Sequence, residues 1–243
     1  MGDMLGARYE DKNLLFYAKD EVCDLVQTGT SYGIHKGDIQ AVDIVLNPKG
    51  SFYTITIPKK NLRINNVFLP LIGEHQIKNS LAVFGLALEL GFDPYRIVEQ
   101  FANYRGVKRR CERVLNQNKA LVFLDYGHHP LELEATFNGL KHQFQRPLVV
   151  IFEPHKYTRT KSFFLEFVQV LKGCDTLFLL KTYPAGEVFD FDGSSEKLAQ
   201  QLNLDLLDEL DLSLAIEKYK DKPVTILFIG AGKIDLFCKE CFS

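Results

Sequence analysis

The stretch ALVFLDYGHHP, residues 120–130, runs from a short apolar segment into polar residues that can begin a helix. The same pattern of an apolar run bounded by turn residues recurs at 147–152, 176–180 and 224–229. Such continuous apolar runs are typical of strands buried on both faces. The segments between these runs are predicted to be helical, at 130–142, 162–171, 194–202 and near 213–219. The alternation predicts an α/β fold with a mostly parallel, doubly wound sheet.

The first part of the chain has a different pattern, with short strands and polar turns over residues 1–72. Residues 41–58 alternate apolar and polar and are broken by Asn-Pro-Lys-Gly, which predicts two strands joined by a turn. Apolar residues at steps of three and four predict a helix over residues 75–90, closed by Gly91. A second helix is predicted over 94–103, and we place a domain boundary near Gly106.

The composition is that of an ordinary globular protein of 243 residues, which is enough for one large or two small domains. A net charge of −2, from 29 basic and 31 acidic residues, provides no general attraction for nucleic acid or a membrane surface. No apolar run approaches the ~20 residues that cross a bilayer, so we expect a cytoplasmic protein. Five scattered cysteines do not suggest a disulfide framework, and we expect the pair Cys238 and Cys241 to be reduced thiols on a terminal helix.

Polar residues follow all four predicted strands of the second part, where parallel α/β sheets bind their ligands. These strand ends have the sequences DYGHHP (125–130), EPHKYTRT (153–160), KTYPAGE (181–187) and GAGK (230–233). Within the second of them, His155, Lys156 and Arg159 place three potential cations at the predicted start of a helix, which suits a phosphate or carboxylate. His128-His129-Pro130 can equally be an ordinary helix start, and Lys108-Arg109-Arg110 a solvated charged run.

Two nucleotide-binding motifs do not match this sequence. Gly230-Ala231-Gly232 lacks the third glycine of a dinucleotide fingerprint and follows the last strand instead of the first, which argues against a nicotinamide oxidoreductase. The 243 residues contain no G-x-x-x-x-G-K-[ST] sequence, the loop that cradles nucleotide phosphates.

Five segments, in order, resemble motifs of the Mur ligases, which make the peptide stem of peptidoglycan. They are GEHQIKNS (73–80), GVKRR (106–110), DYGHHP (125–130), PHKYTRT (154–160) and YPAGE (183–187). Within the family, the last two segments resemble the members that add L-alanine to UDP-N-acetylmuramate. Ligases that recycle murein peptides share two of the motifs and remain an alternative, as does a non-catalytic module that binds a nucleotide or a partner.

The resemblance implies a domain organisation. Residues 1–105 would be the C-terminal portion of the family's central, ATP-binding α/β domain, and residues 106–243 its Rossmann-like C-terminal domain. The family's UDP-binding domain, its phosphate-binding loop and its Mg²⁺ ligands would then lie before Met1. The chain would be an expression fragment, the product of a split gene whose other product is the N-terminal half, or a remnant.

The family's chemistry consists of phosphorylation of the sugar-linked carboxylate by ATP, with Mg²⁺, followed by attack of the alanine amine on the acyl phosphate. The chemistry demands positioning and neutralisation of charge more than a protein nucleophile, so no catalytic residue is assigned. The resemblance assigns ATP binding to Gln76 and Asn79 (adenine), Arg110 (phosphates), and Asp125 and Tyr126 (ribose and adenine). It assigns binding of the carboxylates of UDP-N-acetylmuramate and L-alanine to His128, His155, Lys156 and Arg159.

Five residues in or near these motifs depart from the family pattern. Leu124 stands in place of a frequent aspartate, and Cys111 in place of a bulky apolar residue. Gln76 stands in place of an asparagine, which keeps the amide on a longer side chain. Lys156 stands where arginine is usual, so that a bidentate carboxylate contact would become a single point charge. Lys233 follows Gly-Ala-Gly where aspartate is typical.

Overall fold

The computed structural model describes residues 16–18, 29–115 and 119–242. The chain divides into two compact units between Arg105 and Gly106. Predictions for residues 1–15 and 19–28, including the position of Cys23, lie outside the described residues.

The first unit contains a five-stranded sheet whose strands are neighbours in chain order. The strands are β1 (Phe16–Ala18), β2 (Thr30–Ile34), β3 (Ile39–Asn47), β4 (Gly50–Ile57) and β5 (Leu62–Leu69). Strands β1, β2 and β3 run parallel, and β3, β4 and β5 are antiparallel. A short 3₁₀ turn, Pro58–Lys60, precedes β5. The predicted Asn-Pro-Lys-Gly turn joins β3 to β4.

Two helices follow this sheet, α1 (Glu74–Glu89) and α2 (Pro94–Asn103), close to their predicted bounds. The apolar face of α1 packs into the core of the unit, where Ile77, Leu81 and Phe84 have no exposed surface. The amides that open α2 are capped by the Asp93 side chain, with a proline at the first helical position. The helical periodicity and the capping residues explain why these bounds could be read from the sequence.

The second unit alternates strands and helices. Its strands are β6 (Glu112–Leu115), β7 (Leu121–Asp125), β8 (Leu148–Glu153), β9 (Thr176–Leu179) and β10 (Thr225–Gly230). Its α-helices are α3 (Pro130–Phe144), α4 (Tyr157–Ser162), α5 (Phe164–Leu171), α6 (Ser195–Leu202), α7 (Glu209–Lys220) and α8 (Ile234–Phe242). A 3₁₀ turn, Phe191–Gly193, precedes α6.

The sheet of the second unit has the order β6-β7-β10-β8-β9. All its neighbouring strands are parallel except β6, which pairs antiparallel with β7. The last strand, β10, therefore lies in the middle of the sheet, and all six of its residues are buried. The predicted α/β fold with a mostly parallel sheet is confirmed. The edge strand β6 had no counterpart among the predictions.

The carboxyl ends of the four parallel strands β7, β8, β9 and β10 lie at the same edge of this sheet. Asp125 and Glu153, expected in the loops, are the last residues of β7 and β8. The helix predicted over 162–171 corresponds to α5, and the segment 155–159, expected to open a helix, begins a separate short helix, α4, that ends just before Phe163. Cys238 and Cys241 are free thiols on α8, and burial raises the pKa of Cys238 to about 12.

Candidate functional site

In the first unit, Gln76 and Asn79 lie in the opening turns of α1. The Asn79 amide donates to Gln76 Oε1 over 3.4 Å, and Gln76 Nε2 lies 3.2 Å from His75 Nε2. Asn79 is exposed and Gln76 half-buried. Their spacing of three residues places both amides on one face of the helix, so that donor and acceptor groups are available side by side.

In the second unit, the Asp125 carboxylate holds two loops at the end of β7. Its Oδ2 accepts from the Cys111 amide and its Oδ1 from the Gly127 amide, both over 2.6 Å. The residue is 5% exposed. Burial raises the pKa of Asp125, although the two amides and the charge of Arg110 act against this rise. The carboxylate thus fixes the backbone that follows Arg110 and the loop that precedes His128.

Arg109 and Arg110 point to different places. Arg109 turns inward, where its Nη2 donates to the carbonyl oxygens of Gly230 over 3.1 Å and Gly232 over 3.2 Å. Arg110 turns outward, and 48% of its side chain is exposed. The two guanidinium carbons lie 4.9 and 5.5 Å from the centre of the Tyr126 ring. The two arginines of the run Lys108-Arg109-Arg110 therefore differ: Arg109 binds the end of β10, and Arg110 lies at the surface.

The histidines of two strand ends come together at the edge of the sheet. The rings of His128 and His155 have centroids 5.9 Å apart, and His155 stacks on Tyr183 at 5.5 Å and 18°. Arg159 Nη1 lies 3.2 Å from His155 Nδ1 and donates to the His155 carbonyl oxygen over 3.1 Å. Residues from β7, β8 and β9 loops thus form one polar surface.

The interpretation of His128-His129-Pro130 as an ordinary helix start is correct for His129. Its side chain accepts from the Leu131 amide, and Glu132 accepts from the amides of both histidines, which makes a capping box at the start of α3. His129 also contacts the Phe163 ring edge-on at 4.4 Å. His128, one residue earlier, is the histidine that faces His155.

Burial and nearby positive charge both act on His155. Burial, then the charges of Arg159, His128 and Lys156, lowers the pKa of His155 below its ordinary value of 6.5. The imidazole is therefore mainly neutral at pH 7, and its Nδ1 can accept the hydrogen bond from Arg159. Lys156 and Arg159 each contribute a positive charge to this cluster at neutral pH.

Replacing Arg159 by glutamine is expected to raise the pKa of His155, because a positive charge close to the imidazole is removed. The titration is followed from the His155 ring resonances by NMR. Lys161→Gln serves as the control, since Lys161 pairs with Asp190 at 3.0 Å on the other side of α4. An unchanged or lower pKa in Arg159→Gln would show that the two side chains are not in contact.

Lys156 has a strained backbone, with φ 73° and ψ 130°. A residue with a Cβ in such a region costs on the order of 1–3 kcal/mol and is found mainly where the surroundings enforce it. Here the Lys156 amide donates to the Tyr183 carbonyl oxygen over 2.9 Å, and the Tyr183 amide to that of Pro154 over 2.8 Å. This ladder holds Lys156 at the start of α4.

Glu187, at the end of the YPAGE segment, caps the first turn of α4 with its side chain. Its carboxylate accepts from the Thr158 amide over 3.1 Å and from the Thr158 hydroxyl over 2.6 Å. The Thr158 hydroxyl and amide lower the pKa of Glu187. The PHKYTRT and YPAGE segments are therefore joined by side chain as well as by backbone.

The turn at Gly230–Gly232 is occupied by a carboxylate of the same chain. Glu153, 3% exposed, accepts from the Lys233 amide over 3.1 Å. A Cβ on Gly232 would lie 2.6 Å from Glu153 Oε2 and 2.6 Å from Tyr183 Cγ, so only glycine fits there. Glu153 thus places a carboxylate at the start of α8. The same carboxylate fills the place that a bound phosphate would need.

Within residues 16–18, 29–115 and 119–242, no three His, Cys, Asp or Glu side chains are grouped so as to hold a metal ion. In that same part of the chain, every helix is too short or too polar to cross a bilayer.

Sequence reasoning gave no role to several residues that build this edge. Arg109 and Glu153 act through partners far away in the chain, and neither carries a local signal. Glu132 did have a local signal, because a glutamate three residues after a helix-capping residue indicates a capping box.

The family model of the Mur ligase glutamate ligase domain matches residues 109–232. This match covers the edge described above, and the chain belongs to the Mur ligase family. Mur ligases depend in general on ATP and Mg²⁺.

Two curated relatives are UDP-N-acetylmuramate–L-alanine ligases. That of Aquifex aeolicus is 33% identical over 86% of this chain and 46% of its own length, and that of Clostridium tetani is 32% identical over 95% and 52%. The crystal structure of the corresponding ligase of Thermotoga maritima has a TM-score of 0.74 at 22% identity, over 94% of this chain and 50% of its own. The chain thus spans about half the length of these proteins.

Proposed function

We propose that this chain is the C-terminal half of an enzyme that joins L-alanine to UDP-N-acetylmuramate, with ATP as the source of energy. The observation that carries the proposal is the cluster of His128, His155, Lys156 and Arg159 at one edge of the sheet. A cluster of two imidazoles and two cationic side chains suits a carboxylate that is to be activated and then attacked.

On the substrate side, Arg159 and Lys156 would hold carboxylates of UDP-N-acetylmuramate and L-alanine. The backbone and ring of His155 already orient Arg159, so the Arg159 side chain loses less conformational entropy when it binds a carboxylate. Lys156 offers one compact charge on a strained, fixed backbone. The neutral His155, stacked on Tyr183, can exchange hydrogen bonds without adding a further positive charge to the site.

On the nucleotide side, Arg110 would contact the phosphates, since it is half-exposed and its Nη1 lies 3.7 Å from the Glu132 carboxylate, a loose contact that an anion could share. Tyr126 would face the base, and Asp125 the ribose through the lone pairs that its two amide donors leave available. Gln76 and Asn79 would hold the adenine. When bound, ATP supplies the phosphoryl group that converts the sugar-linked carboxylate into an acyl phosphate, from which the amine of L-alanine displaces phosphate.

The remaining parts of the site would come from the N-terminal half of the enzyme. These are the loop that cradles the β- and γ-phosphates, the ligands of Mg²⁺ and the UDP-binding domain. Residues 1–105 would be the end of the central ATP-binding domain and residues 106–243 the C-terminal domain. The half would be joined to this chain in one polypeptide, or would bind it as a separate gene product. The site of action would be the cytoplasm.

The test is to fuse the N-terminal half of the Aquifex aeolicus relative to this chain and to measure phosphate release from ATP. We expect turnover with UDP-N-acetylmuramate and L-alanine and none when the tripeptide L-Ala-γ-D-Glu-diamino acid replaces L-alanine, because the cluster follows the pattern of the alanine-adding members. Faster turnover with the tripeptide would move the protein to the murein-peptide recycling ligases. Nucleotide binding without turnover on either substrate would favour the non-catalytic module.

A further inference from the structure

Glu132, in the first turn of α3, touches both sides of the edge described above. Its Oε2 accepts from the His128 amide over 2.9 Å and from the His129 amide over 3.1 Å. Its Oε1 lies 3.7 Å from Arg110 Nη1. One carboxylate is therefore shared between the loop that carries His128 and the surface arginine.

The second contact is not needed to start the helix. The two amides already satisfy the capping requirement, and a neutral side-chain oxygen would do so as well. The charge of the carboxylate matters for the two side chains that face it. These are His128, whose Nδ1 lies 3.8 Å from Glu132 Oε2, and Arg110, a long and flexible side chain that is otherwise held over the face of Tyr126 at 5.5 Å. A single ion pair at one nitrogen leaves the other donors of the guanidinium able to meet an anion.

Burial opposes the ionised form of Glu132, but the amides of His128 and His129 and the positive charges of His128 and Arg110 outweigh it, so that the pKa of Glu132 is lowered. The carboxylate is thus ionised throughout the neutral range. It can attract Arg110 at every pH at which the enzyme would work.

We propose that Glu132 is a positioning residue that holds Arg110 in the orientation needed for the phosphates of ATP, while it fixes the backbone of His128. The inference rests on the proposed function, because it assumes that Arg110 meets ATP. Glu132 itself touches neither substrate nor nucleotide. Through this one side chain, Arg110 on the nucleotide side and His128 on the carboxylate side would be held at a fixed separation.

The first test uses the 243-residue chain without any ligand. Glu132→Gln keeps an oxygen for the two amides and removes the charge. We expect the side-chain NMR resonances of Arg110 to lose the shift caused by the Tyr126 ring, while the amides of His128 and His129 keep their protection from hydrogen exchange. Glu134→Gln, an exposed change on the same helix, should alter neither. Unchanged Arg110 resonances in Glu132→Gln would overturn the proposal.

The second test uses the fused enzyme. Glu132→Gln should raise KM for ATP roughly two- to fivefold, the effect of a half-exposed ion pair, with KM for L-alanine unchanged. In an Arg110→Ala background the same change should have no further effect, because Glu132 acts through Arg110. A lower KM for ATP would mean that Glu132 competes with phosphate, and additive effects would mean that it acts elsewhere. If the unaltered fusion is inactive, the proposed function fails, and the NMR result still decides the role of Glu132.

Discussion

Residues 1–243 alone are expected to release no phosphate from ATP above background when Mg²⁺, L-alanine and UDP-N-acetylmuramate are supplied. Phosphoryl transfer needs backbone amides around the β- and γ-phosphates and a cation to offset the developing charge. This sequence contains no G-x-x-x-x-G-K-[ST] loop. The glycine-rich turn at Gly230–Gly232 is already filled by the Glu153 carboxylate.

Addition of a separately produced N-terminal half is expected to restore turnover, because each half would carry part of one site. The same half mixed with the Arg110→Ala chain should give roughly a tenth to a hundredth of that rate at limiting ATP, since a charged contact to phosphate contributes about 1.5–3 kcal/mol. Phosphate release is measured for each half, for the two together and for the variant. Substantial turnover by the chain alone would contradict the assignment of the phosphate-binding loop to the other half.

Replacement of Gly193 by alanine is expected to destabilise the second unit by about 3 kcal/mol, at the upper end of the usual cost of overpacking. A Cβ on Gly193 would contact the Tyr157 carbonyl group, with its carbon 2.6 Å away and the Tyr157 Cα 2.9 Å away. These are backbone atoms at the start of α4, so neither partner can move by a change of rotamer. The start of α4 directly follows His155 and Lys156, and the carboxylate-binding cluster should be displaced with it.

The matched control is Gly186→Ala. Gly186 has φ +86° and nothing within 4 Å of its added Cβ, so that the change tests backbone strain without a clash. We expect it to cost about 1 kcal/mol. Urea unfolding followed by circular dichroism gives both free energies of unfolding, and His155 ring resonances report the cluster. If Gly193→Ala is no more destabilising than Gly186→Ala, the close approach of the 3₁₀ turn to α4 is wrong.

Much of the second unit could be predicted because its signals are local. Buried strands appear as continuous apolar runs, and a proline or a capping side chain marks a helix start. In the first unit, helix α2 likewise has its predicted bounds, because Asp93 and Pro94 mark its start within two residues. The separation of α4 from α5 at Phe163 was not predicted, because no proline or glycine marks a break there.

The same distinction between local signals and long-range contacts applies to the site residues. Their positions after strands could be predicted from the apolar runs, whereas the binding roles of His128, His155, Lys156 and Arg159 came from the resemblance to the family. The sequence could not show that Asp125 is buried under two amides or that Arg109 and Arg110 diverge, because these depend on which backbone groups approach each side chain.

The sequence by itself determined the strand–helix alternation, the helix starts and the motifs that identify the family, all of which depend on residues a few positions apart. Only the tertiary structure decided that β10 enters the sheet between β7 and β8. That order brings Arg109 to Gly230, 121 positions away, and Glu153 to Lys233, 80 positions away. Hydrogen bonds between such distant groups depend on strand order and close packing, and neither leaves a periodic pattern in the chain.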